Sequence, residues 1–519
     1  MKKIQYIVFS LLLLLSFSFA SAQALTKKEK KKIRIKAENL FDKGDYYNSL
    51  QLFEQLLQAD SLDPYLNYHA GVCKYNIKRL RYDALKNFER AKVKPVIELY
   101  YYLGNMYHLH QMFSEAMSEY EKYLLKKSDM KEHSDQEITL LLEKCAYAMK
   151  ELSRENNIIS ISNIGEKINS PYPEYVPLVS ADGKKLFFTS RREGSSGNRK
   201  DPMNDYYEDV YMAEYLNGQW KNVIRVDSPV NTRTHDACVG LTPEGENLLI
   251  YRTSASLVAG DIYLTTFDGT KWSDPVLLDE EINSPEWVEA SACFSSDGNT
   301  IYFSSNRPGG YGGKDIYRSV KLPNGEWSKA VNLGSEINTM YDEDAPFIHP
   351  DDDKLYFSST GHPGMGGYDI YRSDRDEAGN WQKPVNLGYP LNTVDDDIYF
   401  VLSADGSTGY FSSKREDGFG ETDIYIVTFR DNFGYKVVTG FVLNEEKSPV
   451  DAKLVVLDKS SRKINGEYHS NPLTGRFIIL LEPDKEYSIV VEAKKYYSIT
   501  EDIEPSNETL QYILKRKDD

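Results

Sequence analysis

Short runs in which apolar and polar residues alternate dominate the chain between Ile158 and about Phe429. Turn residues divide these runs, and that is the pattern of β-strands. The pattern occurs five times, and each copy closes with Asp-Val-Tyr or Asp-Ile-Tyr. The aspartates of these endings are Asp209, Asp261, Asp315, Asp369 and Asp423, at spacings of 52, 54, 54 and 54 residues. A constant period of this length indicates a repeat architecture.

Each copy holds four alternating runs, which in the third copy cover residues 290–295, 300–305, 315–320 and 327–333. Four antiparallel strands in one repeat make a blade of a β-propeller. The alternative is a string of separate hairpins, but a lone hairpin is only marginally stable in water. We therefore predict a five-bladed β-propeller over residues 157–430.

The two ends of the repeat array predict how the ring closes. The fourth run of a copy carries a tryptophan (Trp220, Trp272, Trp327, Trp381), but the fifth copy has no such run. Residues 162–169 instead match residues 331–338, with Ile158 in place of the tryptophan. We predict that strand 158–164 pairs with strand 423–429, which removes the open edge of the last blade.

Residues 27–153 change to helical periodicity. The segment 36–53 resembles a tetratricopeptide repeat, with small Ala37 and Ser49 where two helices approach and Phe53 between repeats. Two more copies follow around Gly71 and Gly104, the first with an insertion near residues 79–81, and residues 137–151 predict a closing helix. Peptide binding in a concave groove and packing against the propeller both stay open as roles.

Residues 436–519 return to strand patterns, and four strands at residues 436–442, 452–457, 476–481 and 486–493 predict a small β-sandwich. The order V-x-G-x-V, Pro449-Val450, Thr474-Gly475-x-Phe477 and Pro483-x-Lys485-x-Tyr487 resembles the carboxypeptidase-regulatory-like domain. That family is structural or adhesive and is not the peptidase itself. The expected fold class is a multidomain α + all-β chain: a helical solenoid, a propeller and a small β-sandwich.

Residues 1–22 predict a secretory signal peptide: two lysines, an apolar core, then Ala20-Ser21-Ala22. The mature protein is therefore expected in the periplasm, with no transmembrane segment after cleavage. A net charge of −17 argues against nucleic acid as a partner, since phosphate binding needs a basic face. The four cysteines lack diagnostic spacing, and we expect Cys73, Cys145, Cys238 and Cys293 to be buried free thiols.

One carboxylate recurs at the beginning of the first, innermost strand of every copy. These residues are Glu174, Asp236, Glu289, Glu343 and Asp397. They are expected to gather at one mouth of the propeller channel, where they either bind a cation or basic segment or accept hydrogen bonds that link adjacent blades. The second, structural role is favoured, because buried acids must be paired. Four arginines at comparable places (Arg192, Arg252, Arg307, Arg415) are expected to be solvated turn residues.

The repeats D-G-x-x-Ile/Leu-Tyr/Phe-Phe-Ser-Ser, Arg-x-Gly and Asp-Ile-Tyr resemble TolB-like (PD40, WD40-like) propeller repeats. The full order of segments resembles the periplasmic PorE-type proteins of type IX secretion and related OmpA-family envelope proteins. Those proteins continue into an OmpA-like domain that grips peptidoglycan, whereas this sequence stops at Asp519. The resemblance implies envelope partners such as outer-membrane PorP-like proteins, and without that domain it implies no direct peptidoglycan binding.

The function expected from these features is a non-enzymatic periplasmic scaffold associated with the outer membrane, without cofactor or metal. The alternative is a carbohydrate- or peptide-binding propeller, or a hydrolase accessory. No hydrolase G-x-S-x-G follows the blades, and His235, His349 and His362 have no metal-ligand spacing. A catalytic cluster should break the repeat symmetry, and the main asymmetry is an insertion at residues 193–207 of the first copy.

Overall fold

The computed structural model describes residues 25–126, 131–154, 159–201, 203–254, 260–284, 286–430, 434–505 and 509–517. The predicted signal peptide and Ile158 lie outside these ranges. The chain divides into two units, residues 1–106 and residues 107–519. Among the described residues, no helix combines the length and apolarity needed to cross a membrane.

The first unit consists of consecutive helices that pack on one another. They are α1 (Lys27–Phe41), α2 (Tyr46–Leu57), α3 (Pro64–Asn76), α4 (Ala84–Ala91) and the first part of α5 (Ile97–Leu109), with a 3-10 helix at Lys78–Asp83. Small residues lie at the close approaches: the Ser49 hydroxyl donates to the Ala37 carbonyl over 2.9 Å. A Cβ at Gly71 would stand 2.6 Å from the Phe88 ring. The predicted helical repeats are present, and the 3-10 helix occupies the predicted insertion.

The second unit opens with α6 (Phe113–Leu124) and α7 (Asp135–Leu152). The Ser134 side chain caps α7 by accepting the Glu137 amide over 3.1 Å. Helix α7 buries Ile138, Cys145 and Ala148. It is the closing helix predicted at residues 137–151.

A propeller-like β region follows, in which the described residues form five four-stranded antiparallel sheets. β1 (Ile159–Asn163) comes first along the chain but belongs to the last sheet. Sheet 1 contains β2 (Glu174–Val179), β3 (Lys185–Ser190), β4 (Asp209–Leu216) and β5 (Gln219–Arg225), and sheet 2 contains β6 (Asp236–Leu241), β7 (Asn247–Thr253), β8 (Gly260–Thr266) and β9 (Val276–Leu277). Sheet 3 contains β10 (Ala292–Phe294), β11 (Thr300–Ser305), β12 (Asp315–Val320) and β13 (Val331–Asn332), and sheet 4 contains β14 (Glu343–Ile348), β15 (Lys354–Ser359), β16 (Asp369–Asp374) and β17 (Val385–Asn386). Sheet 5 contains β18 (Asp397–Leu402), β19 (Thr408–Ser413), β20 (Asp423–Phe429) and β1.

The predicted pairing of the two ends is confirmed. β1 lies antiparallel to β20, with Ile159 opposite Phe429 and Asn163 opposite Tyr425. Hydrophobic cores fill the spaces between successive sheets, and one core joins Val401, Tyr410 and Ile424 of sheet 5 to Phe187 of sheet 1. Trp220 of sheet 1 likewise stands 6.0 Å from the Tyr410 ring of sheet 5.

The outer strands of sheets 2, 3 and 4 are shorter than predicted. In sheet 3 the predicted run 327–333 reduces to Val331–Asn332, and Trp327 makes only an isolated bridge to Lys321. The tryptophans instead pack inward: Trp272 stands 5.7 Å from Phe187, and Trp381 stands 6.3 Å from Tyr302. Their positions in the repeat are therefore set by packing between sheets.

The C-terminal region contains two sheets on a shared apolar core. Its strands are β21 (Lys436–Asn444), β22 (Lys453–Asp458), β23 (Ile464–His469), β24 (Arg476–Leu481), β25 (Tyr487–Glu492), β26 (Ile499–Ile503) and β27 (Leu510–Leu514). The sheet orders are β24-β21-β27 and β23-β22-β25-β26. The sequence analysis did not predict β23, β26 and β27. Asparagine, glycine and acidic residues interrupt the apolar alternation of β23 and β26.

The C-terminal region is fastened to the hairpin turns between first and second strands. The Arg476 guanidinium donates to the Asp182 carboxylate and to the Glu244 carbonyl, both over 2.5 Å. The Thr474 hydroxyl donates to Glu246 over 2.6 Å. These turns lie at the end of the inner strands opposite to the one where the repeated carboxylates stand.

Helix α7 and the end of α5 hold the glycine-rich loop of sheet 4. The Lys144 ammonium donates to the Gly366 carbonyl over 2.6 Å, and His108 Nε2 lies 2.6 Å from the Met365 carbonyl. Burial lowers the pKa of His108 to about 4. The imidazole is therefore neutral near pH 7 and can donate to that carbonyl.

Candidate functional site

The five repeated carboxylates are fully or almost fully buried. Glu174, Asp236, Glu343 and Asp397 begin β2, β6, β14 and β18, as predicted. The prediction is wrong for Glu289, because β10 begins three residues later at Ala292. Before β10 the pairing in sheet 3 reduces to the Ser304 amide donating to the Ser291 carbonyl over 3.1 Å, so the regular strand starts late.

Each carboxylate ties its own sheet to the connection that enters it. It accepts a backbone amide from the residue four or five positions earlier, over 2.6 to 3.0 Å, and these donors are Ser170, Thr232, Ser284, Thr339 and Thr393. In four sheets it also accepts a hydroxyl from the end of the second strand, over 2.5 to 2.6 Å, and these donors are Ser190, Ser305, Ser359 and Ser413. Since each connection comes from the preceding sheet, this arrangement favours the structural role.

The four arginines expected in solvated turns are instead only 15–19% exposed and pair with these carboxylates. The distances run from 2.6 Å for Arg252 and Asp236 to 3.2 Å for Arg415 and Asp397. Each guanidinium also donates to a carbonyl of the incoming connection, such as Leu391 for Arg415 at 2.7 Å. The expectation was wrong because each arginine side chain folds back from its turn and pairs with the buried carboxylate of the same repeat.

Sheet 4 lacks this arginine. His362 takes the carbonyl contact, with Nε2 2.8 Å from the Ile337 carbonyl, but does not pair with Glu343. Burial raises the pKa of Glu343 to about 7, against an ordinary value of 4.5. Burial also raises the pKa of Asp397, but only to about 6, since Arg415 opposes it.

A second set of residues stands beside the repeated carboxylates and does not repeat. We call it the mouth cluster, because its members flank those carboxylates along the chain or lie at the same end of the inner strands. The mouth cluster contains Tyr175, Glu208, His235, Lys314, Asp342, Asp344, Tyr368, Asp396 and Tyr399.

A hydrogen-bonded triad joins sheets 1 and 2 within the mouth cluster. The Tyr175 hydroxyl donates to Glu208 Oε1, and Glu208 Oε2 lies 2.9 Å from His235 Nδ1. Burial raises the pKa of Glu208, but the bonds to His235 and Tyr175 and the charge of Arg191 outweigh burial and lower it to about 2. Glu208 is therefore a carboxylate at every physiological pH.

The insertion predicted as the main asymmetry is folded against this triad. Arg191 donates to the Asp201 carboxylate over 2.5 Å and to the Tyr206 carbonyl over 2.9 Å. The ring of Tyr207 lies 4.3 Å from the ring of His235. The insertion thus supplies one wall of the mouth cluster.

The opposite wall is acidic and aromatic. The Lys314 ammonium lies 2.7 Å from Asp344 Oδ2 and lowers the pKa of that carboxyl against the effect of its burial. Burial and then the charges of Asp344, Asp342 and Asp396 raise the pKa of Tyr368. Burial and nearby carboxylates raise the pKa of Tyr399 as well. The centroids of the stacked Tyr399 and Tyr175 rings are 6.3 Å apart. Within the described part of the chain, neither the Tyr368 nor the Tyr399 hydroxyl has a hydrogen-bond partner.

A cavity of about 50 Å³ lies between the inner strands, with Tyr399 among the residues that line it. Apolar side chains such as Val176, Val239 and Phe347 line it. Such a volume holds a few water molecules.

The mouth cluster can bind charge and hydrogen-bonding groups, and its nearby thiol is not a nucleophile. Burial raises the pKa of Cys238 to about 12, so the thiol stays protonated. Of the three histidines noted in the sequence, only His235 reaches the cluster. All four cysteines are buried and free, as expected. Tyr175, Glu208 and Lys314 lie at flanking positions that differ between the copies, so the repeat pattern did not indicate them.

No protein-family model and no curated protein matches the chain. Among solved structures, the type III secretion translocator chaperone SycD of Yersinia enterocolitica is 18% identical, over 25% of this chain and 92% of its own, with a TM-score of 0.22. The endo-arabinase of Bacteroides thetaiotaomicron is 15% identical, over 51% of this chain and 98% of its own, with a TM-score of 0.34. The gluconolactonase XC5397 of Xanthomonas campestris is 13% identical, over 62% and 90%, with a TM-score of 0.29. Likenesses of this size carry no argument about what this chain binds or does.

Proposed function

We propose that this chain is a non-enzymatic scaffold of the cell envelope, located in the periplasm at the outer membrane. In this proposal residues 157–430 are a five-bladed TolB-like β-propeller, and residues 436–519 are a carboxypeptidase-regulatory-like β-sandwich. Residues 27–153 are a tetratricopeptide-repeat solenoid, and the whole is PorE-like. Its partners are envelope proteins, including outer-membrane PorP-like components of type IX secretion or gliding machinery.

One observation carries the proposal: the carboxylates that repeat in every sheet are buried and already hydrogen-bonded inside the fold. The five carboxylates are buried and bonded to amides, hydroxyls and arginines of their own sheets. The C-terminal region and α7 are fastened to the same sheets by Arg476 and Lys144. A body of this kind offers several fixed surfaces in a set arrangement, which is what a scaffold needs.

The test is affinity purification of the tagged chain from crosslinked envelopes. The scaffold proposal expects an outer-membrane PorP-like protein among the crosslinked products. A tagged chain with Arg476→Ala provides a matched bait whose C-terminal region is loosened. Recovery of no envelope protein, together with hydrolysis of a peptide or a glycan by the purified chain, would end the proposal.

A second candidate is a carbohydrate- or peptide-binding propeller. The observation that favours it is the triad of Tyr175, Glu208 and His235, which draws its side chains from two unequal sheets. Aromatic rings beside charged hydrogen-bonding groups are common in sites for small polar ligands. Saturable binding of an oligosaccharide by the purified chain, without any crosslinked envelope partner, would favour this candidate over the scaffold.

A further inference from the structure

We propose that the mouth cluster is a docking site for a basic side chain, an arginine or lysine on an extended segment of a partner protein. The inference rests on the proposed scaffold function and names the chemistry of one of its contacts. The five repeated carboxylates cannot be this site, because their oxygens are already bonded inside the sheets. The residues that differ between the copies are the ones that remain to meet a partner.

The net charge of the mouth cluster indicates that its ligand is positively charged. Lys314 is paired with Asp344 at 2.7 Å. Lys144 of α7 lies near Asp369 and Asp396. Arg191 is paired with Asp201 and also acts on Glu208, and Lys314 also faces Asp342. The four carboxylates of the cluster, with Asp201 and Asp369 beside them, thus outnumber these two lysines and the arginine, and a neutral sugar would leave this excess uncompensated.

Two carboxylates have an oxygen that no described residue engages. Asp342 Oδ1 accepts the Lys314 amide over 2.9 Å, and Asp396 Oδ1 accepts the Tyr368 amide over 3.1 Å. These bonds fix each carboxylate, while Oδ2 of each has no partner in the described part of the chain. Glycine is required beside them, since a Cβ at Gly313 would stand 2.2 Å from Asp342 Oδ1. The two acceptors are therefore held in place before a ligand arrives.

The aromatic members suit the same ligand. Tyr175 and Tyr399 stack at 6.3 Å, and the charges of Asp344 and Asp396 act on both Tyr368 and Tyr399. A guanidinium or ammonium group gains from a tyrosine face as well as from a carboxylate. The unpartnered hydroxyls of Tyr368 and Tyr399 offer further acceptors to its N–H groups.

The shape of the site favours a side chain on an extended segment over a free metabolite. The apolar cavity lined by Tyr399 and the inner strands has a volume of only about 50 Å³. The C-terminal region fastens to the turns at the far end of the strands. A partner segment can therefore lie across the mouth and place one long side chain into it, with its backbone outside.

The test compares two labelled peptides of about ten residues that differ only in one central residue, arginine or its neutral isostere citrulline, in a glycine–serine background. Binding to the whole chain is followed by fluorescence anisotropy at low and high salt. We expect the arginine peptide to bind at least about tenfold more tightly than the citrulline peptide, and salt to weaken the difference.

Variants then assign the site. Asp342→Asn with Asp396→Asn removes two charges but keeps both Oδ1 acceptors, and it should weaken the arginine peptide about tenfold and leave the citrulline peptide unchanged. Tyr399→Phe keeps the ring and should weaken the arginine peptide about threefold. The matched control, Glu326→Gln with Glu377→Gln, removes two exposed charges from outer turns and should change neither peptide. Equal unfolding temperatures show that each variant folds.

Three results would overturn the inference: equal binding of the two peptides, undiminished arginine binding in the Asp342→Asn, Asp396→Asn chain, or displacement of the peptide by an oligosaccharide that binds more tightly. The scaffold proposal stands or falls separately on the crosslinking experiment. A chain that recovers envelope partners but does not distinguish arginine from citrulline keeps the scaffold and loses this site.

Discussion

The five repeated carboxyl groups differ in whether an arginine lies beside them, and that difference affects their pKa. Four of the five repeated carboxylates have an arginine within 2.6 to 3.2 Å. Glu343 has hydroxyl and amide donors but no arginine. The same fold position therefore holds a carboxyl paired with an arginine in four sheets, and in sheet 4 a carboxyl without an arginine, whose pKa burial raises to about 7.

Asp397→Asn should destabilise the chain by roughly 3 kcal/mol at pH 8. The amide group would face the Thr393 and Ser413 donors and leave Arg415 buried without its counter-charge. Chemical denaturation checks this, with Glu377→Gln, an exposed carboxylate, as the control. Crosslinking to partners should not change at a temperature where both chains are folded. A loss of partners without a loss of stability would instead indicate that the five repeated carboxylates form a docking site.

Glu343→Gln should change how stability depends on pH. The pKa of Glu343 is raised to about 7 in the folded chain, so folding binds a proton between about pH 4.5 and 7. Folding stability contributed by this group is therefore lost as the pH rises through that window. Glutamine cannot titrate, so the variant should gain about 2.5 kcal/mol relative to the natural chain between pH 5 and pH 8. Denaturation at the two pH values measures this, and parallel pH profiles would contradict it.

Residue-level roles were only partly readable from the sequence. The recurrence of Glu174 and its counterparts revealed that a carboxylate matters in each copy, and burial then favoured hydrogen bonding. The arginines were misjudged, because a spacing of 16 or 18 residues says nothing about which way a turn side chain folds. The contact of His235 with Glu208 joins two sheets, and no periodicity within one copy could indicate it.

Among the elements, β1 is longer than the outer strands of sheets 2, 3 and 4. It is five residues long, whereas β13 and β17 have two residues each. Its length and its pairing with β20 were predictable, since residues 162–169 repeat a motif seen elsewhere in the chain. The short outer strands were not predictable, because the tryptophans that marked them serve packing between sheets.

Ser160→Pro tests the closing strand. The Ile164 amide donates to the Ile424 carbonyl over 3.2 Å, and in an antiparallel pair every second amide points the same way, so Ser160 also faces β20. Proline should cost roughly 3 kcal/mol there. The equivalent residue of sheet 3 is Lys329, which lies outside β13, and Lys329→Pro should cost much less. Denaturation and limited proteolysis measure both variants, and equal effects would mean that β1 does not hold the ring.

At the scale of the whole molecule, the second unit is fastened at both ends of its inner strands. Lys144 binds the loop of sheet 4 at one end, and Arg476 binds the turns of sheets 1 and 2 at the other. The order of segments was predictable from motifs. These attachments were not, because a single lysine or arginine that reaches a distant carbonyl leaves no pattern in the sequence.

Arg476→Ala should loosen the C-terminal region without unfolding the sheets. Arg476 is 15% exposed and satisfies both a carboxylate and a carbonyl, and no lysine could make both contacts in the same geometry. Amide exchange around Asp182 and Glu244 should rise about tenfold, as measured by mass spectrometry. Lys494→Ala, an exposed change in the same region, should leave exchange at those turns unaltered. Unchanged exchange in Arg476→Ala would show that other contacts hold the region.

The pairing of β1 with β20 also sets the order of events during biogenesis. Asn163 meets Asp423, a residue 260 positions later in the chain. β1 must therefore wait, unpaired, until almost the entire β region that follows it is available for folding. Over that interval the last sheet has no finished edge, and an exposed edge invites pairing with other incompletely folded copies. We expect late ring closure to limit the rate of maturation, and holdase chaperones to matter most for this step.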